Sequence, residues 1–112
     1  MDSDRELLEL AAKAAGIEGE IKKTFGGWPC VMRKNGHAWQ PMHDDGDALR
    51  LACDLGLRVF PIARTATGAA CSAVGDVTGA RLSEVTDASF DTRAATRRAI
   101  VSAAAELGKA MP

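Results

Sequence analysis

Three stretches of this chain place apolar residues at helical spacing, and the stretches between them run or alternate in the manner of strands. In the first, Leu7, Leu8, Leu10, Ala11, Ala14 and Ala15 follow Ser3 or Asp2 as an N-cap, with Asp4 and Glu6 in the first turn and Gly16 as a stop. That order predicts a helix over roughly 3 to 15. From Ile17 to Trp28, the residues Glu18, Glu20, Lys22 and Lys23 and the pair Gly26-Gly27 break any helical period, which leaves a strand fragment or an irregular connection. Cys30-Val31-Met32-Arg33 and His37-Ala38-Trp39-Gln40 flank Lys34-Asn35-Gly36, and an Asn-Gly step accepts the positive φ values of a tight turn. A hairpin is predicted there.

The second helical stretch opens on Asp44, Asp45 and Asp47 and runs through Ala48, Leu49, Leu51, Ala52 and Leu55 to Gly56. It predicts a helix over roughly 45 to 55. Leu57 to Arg64 reads as a strand, with Pro61 confined to an edge or a bulge because it cannot donate to a ladder. Turns at Thr67-Gly68 and at Asp76 to Gly79 lead into Ala70–Val74 and Ala80–Val85, completing a three-stranded meander. After Ser89-Phe90, Asp91 caps a third helix over roughly 91 to 107, with Ile100, Ala103, Ala104 and Leu107 on its apolar side and Gly108 as its stop. The alanines of that stripe predict close approach to the sheet, and Arg93 and Arg97 stand one turn apart on a solvated side. Hairpins and meanders join antiparallel neighbours, so the fold class is α+β: helices packed on a mostly antiparallel sheet, in the order helix, hairpin, helix, β-meander, helix.

Composition limits how strong that core can be. Of the residues counted as hydrophobic, 21 are Ala and 3 are Cys, leaving 28 bulky ones, and Ala buries little area. The 112 residues, with no linker or composition break, predict one domain over 1–112. A domain this short with so few bulky residues is modest in stability, and self-association as a homodimer would help it. Fourteen basic against fifteen acidic side chains support neither a general nucleic-acid footprint nor a polyacidic binder. No run of residues reaches the length of a membrane span and the N-terminus lacks the order of a signal peptide, which predicts a cytoplasmic protein with no membrane partner. Cys30, Cys53 and Cys71 are odd in number and widely spaced, as expected of free thiols in a reducing compartment, at least two of them packing residues.

Three blocks carry a family resemblance: Arg5-Glu6-Leu7-Leu8-Glu9-Leu10-Ala11-Ala12-Lys13-Ala14-Ala15-Gly16-Ile17; Trp39-Gln40-Pro41 ahead of Asp44-Asp45-Gly46-Asp47-Ala48-Leu49-Arg50-Leu51-Ala52; and Ala94 through Gly108. They resemble the phage ABA sandwich family, small proteins of phages and prophages, in order along nearly the full chain. The resemblance implies helices on both faces of a central sheet, a three-layer α/β/α sandwich, in the cytoplasm of a bacterial host cell. It brings no activity and no catalytic or binding residue.

The sharpest local chemistry is His43-Asp44-Asp45-Gly46-Asp47, because carboxylates beside a His can hold Mg²⁺ or Mn²⁺ and run a hydrolysis. In the preferred reading Asp44 or Asp45 caps the helix while the other carboxylates favour the positive end of its dipole, a use that needs no metal. Cys30, His37, His43 and Cys53 match no compact zinc spacing, Gly26-Gly27 lacks a phosphate-loop fingerprint, and an HD phosphohydrolase would need a larger helical scaffold. Arg93, Arg97, Arg98 and Lys109 give the last helix a small basic excess that could touch phosphates, with few aromatics to stack bases. Trp39 either anchors a partner or covers the open side of the core, the second being preferred. The expectation is therefore a non-enzymatic phage accessory protein with no cofactor and no metal, binding a phage or host protein, with Trp39, Asp44, Asp45 and Asp47 as the candidate interaction surface. The alternatives are a metal-dependent hydrolase or nuclease built on His43 and the Asp cluster, and a weak nucleic-acid binder through the C-terminal helix.

Overall fold

Each predicted helix forms, and each starts at a cap residue named by the sequence. In a computed structural model that describes residues 3–62, 68–75, 81–87 and 91–111, α1 spans Asp4–Ala15, α2 spans Asp45–Leu55 and α3 spans Thr92–Lys109. Ser3 Oγ accepts from the Glu6 N–H at 3.2 Å, Asp44 Oδ2 from the Asp47 N–H at 2.8 Å, and Asp91 Oδ1 from the Ala94 N–H at 3.0 Å. Such caps contribute about 1 kcal/mol each by satisfying amides that have no partner inside the helix. Gly16 and Gly56 close α1 and α2 at φ +70° and +65°, left-handed values that strain any side chain with a Cβ.

The strands are β1 (Glu20–Lys23), β2 (Pro29–Met32), β3 (Ala38–Trp39), β4 (Leu57–Ile62), β5 (Ala69–Gly75) and β6 (Arg81–Asp87). The stretch after α1 thus holds a strand, β1, which pairs antiparallel with β2. Lys34-Asn35-Gly36 makes the β2–β3 turn: the Gly36 N–H donates to Arg33 O and the His37 N–H to Asn35 Oδ1, both at 3.0 Å. The meander forms with β4 on its edge, which places Pro61 where a missing N–H does least harm. Its connecting residues 63–67 and 76–80, and Ser89-Phe90 ahead of α3, lie outside the described residues.

The structure differs from the sequence reading in dividing the strands into two three-stranded sheets, β1-β2-β3 and β4-β5-β6, where one sheet was expected. Each sheet is complete within its own local antiparallel connections, and α2 intervenes between them, so a shared ladder is not needed to satisfy the backbone. The helices supply the continuity. α3 packs against α1, α2 and every strand of the second sheet, while α1 packs on α3 and β2.

The core follows from that arrangement. Leu7, Leu8, Ala11 and Ala12 of α1, Leu51 and Ala52 of α2, Val31 and Trp39 of the first sheet, and Ile100, Val101, Ala104 and Ala105 of α3 form one buried cluster, and Cys71, Ala95 and Ala99 form a smaller one beneath the second sheet. α3 is rich in Ala because neighbours cover it on several sides and small residues let backbones approach. Gly108 shows the same effect in a place where a helix stop was expected. It is buried inside α3, which continues to Lys109 and is capped by Ala110. A Cβ on Gly108 would overlap the backbone oxygen of Leu10 in α1, so this glycine is needed for its missing side chain and not for its φ.

Two of the three thiols are core residues, as the sequence reading expected: Cys30 and Cys71 are buried, and Cys53 is exposed on α2. Burial also pushes the Cys71 thiol pKa up, which keeps it protonated near neutrality. In a thiol-reagent titration of the native protein, one equivalent is expected to react promptly and the other two only on unfolding. A Cys53→Ser variant that still showed the prompt equivalent would contradict this assignment.

Candidate functional site

Every carboxylate of the His43-to-Asp47 segment has work within the fold. Asp44 is the N-cap of α2, as above. Asp47 accepts from the Gln40 N–H at 3.0 Å through Oδ2 and pairs through Oδ1 with Arg50 at 2.8 Å, leaving its side chain 15% exposed. Asp45 pairs with Arg97 of α3 at 2.6 Å, and the same guanidinium donates from Nε to the Met42 carbonyl at 2.9 Å. Arg97 is therefore not on a solvated side as its spacing suggested. It is 18% exposed and ties the α3 surface to the entry of α2. The carboxylates are arranged around backbone amides and arginines, the use expected from their position at a helix start.

Among the described residues, no three of His, Cys, Asp and Glu gather in a way that could hold a metal ion. Cys30 sits in the core, Cys53 on the outer side of α2, His37 beside the exposed hairpin turn, and His43 against Trp28. Of the basic residues on α3, Arg98 pairs with Asp4 at 2.9 Å and Arg97 with Asp45, so carboxylates neutralise two of the three arginines considered for phosphate contact. Arg93 is 83% exposed and reaches Asp45 only at 4.0 Å.

The two tryptophans have separate roles. Trp39 is 5% exposed and belongs to the core, so it covers the core as preferred and cannot be part of the interaction surface expected of Trp39, Asp44, Asp45 and Asp47. Trp28 is half-buried, donates from Nε1 to Gln40 Oε1 at 2.8 Å, and stacks on the His43 ring with centroids 4.3 Å apart and planes inclined by 20°. Burial pushes the His43 pKa below its ordinary 6.5; the Arg97 charge adds to that and Asp4 opposes it. Because the folded state holds this imidazole neutral more firmly than the unfolded chain does, the stability it contributes is present above pH 6.5 and is lost as pH falls below it. Protonated imidazole quenches indole emission, so acidification is expected to dim Trp28 with a midpoint below 6.5. The measurement is a fluorescence pH titration, and an unchanged transition in His43→Gln would disprove the coupling.

An open apolar groove of about 320 Å³ lies between α2, α3 and β4. Ala48, Ala52, Val59, Pro61 and Ile100 give it its apolar lining, and Asp45, Arg93 and Arg97 line it as well. Leu49, counted among the apolar helix positions of the sequence, borders the groove and is 64% exposed. The sequence reading missed this site. Its one available signal was Leu49 itself, which lies beside the stripe of Ala48, Leu51, Ala52 and Leu55 but not within it.

Among the described residues, no helix is long and apolar enough to cross a membrane. Compared with known proteins, the chain matches no family model, no curated protein and no solved structure.

Proposed function

We propose that this chain is a non-enzymatic protein-interaction domain, an accessory protein of a phage or prophage acting in the cytoplasm of its bacterial host. The observation that carries this reading is the open apolar groove between α2, α3 and β4 with Leu49 standing exposed beside it. It is supported by the carboxylates next to His43, which already serve α2 and the arginines around it. The phage origin rests on the three sequence blocks that resemble the phage ABA sandwich family.

The reading is tested by capture and by calorimetry. Immobilised protein is expected to retain a protein partner from bacterial lysate, and Leu49→Glu to lose it while keeping the helical spectrum of the parent. Titration with Mn²⁺ or Zn²⁺ is expected to release no heat of binding. Micromolar binding of either ion, abolished by Asp44→Ala combined with Asp47→Ala, would replace this reading with the metal-dependent hydrolase.

A further inference from the structure

We draw no further inference here: the strongest candidate, the apolar hollow lined by Cys30, Met32 and Ala38 beside the fully exposed Phe25 at the tip of the β1–β2 hairpin, carries nothing because nothing in the structure shows what covers it.

Discussion

Leu51→Ala is expected to lower the unfolding free energy by about 3 kcal/mol, while Leu49→Ala, two residues earlier on the same helix, changes it by no more than about 0.5 kcal/mol in the monomer. Both residues are leucines on α2, and only their surroundings differ. Leu51 is 2% exposed among the core residues of α1 and α3, so truncation removes its transfer free energy and leaves a cavity that rigid neighbours fill incompletely. Leu49 is mostly in water, so truncation removes little burial. A loss of about 3 kcal/mol is a large fraction of the roughly 5 to 15 kcal/mol that holds a small domain folded. Urea denaturation at low protein concentration measures both values. Equal losses would mean that α2 turns a different face to the core.

Gly108→Ala separates two rules that predict opposite signs. Helix propensity alone favours Ala over Gly in a helix by about 1 kcal/mol. The structure places the new Cβ inside the backbone oxygen of Leu10, with the Leu10 carbonyl carbon and Cα also close. A flexible side chain could turn aside, but this is the backbone of α1 held by its own helical hydrogen bonds, so α1 and α3 must move apart along their packed surface. The expected outcome is destabilisation by about 1 to 3 kcal/mol, the range for overpacking a closely fitted core. A rise in the denaturation midpoint would show that the two helices separate at no cost and that the alanine-rich face of α3 does not depend on close contact.

Much of the local architecture can be read from residues acting on their own neighbourhood. Ser3, Asp44 and Asp91 cap because a short polar side chain reaches the amide three residues on, a relationship internal to a few consecutive residues. Asn35-Gly36 turns for a similarly local reason, and Pro61 lies on an edge because its nitrogen carries no hydrogen. The structural use of Asp44 was likewise visible in its position directly before an apolar helical stripe. The fates of Arg97, Leu49, Trp28 and Gly108 were not visible, because each depends on a residue far away in the chain: Arg97 on Met42 and Asp45, Gly108 on Leu10. Trp28 is partnered by Gln40 and His43, which only the return of the chain through the first hairpin brings alongside.

What the sequence determined by itself is the kind and order of the elements, since hydrophobic period, caps and turn residues act over distances of a few residues. What only the tertiary structure decided is how those elements share the core: two sheets in place of one, α3 covered on several sides, a glycine used for contact, and a groove left open beside Leu49. The physical reason is that periodicity says which face of an element is apolar without saying what will cover it. Covering is settled by shape and volume among residues distant in sequence, and in a chain so rich in alanine, differences of a single methyl group decide which surfaces meet.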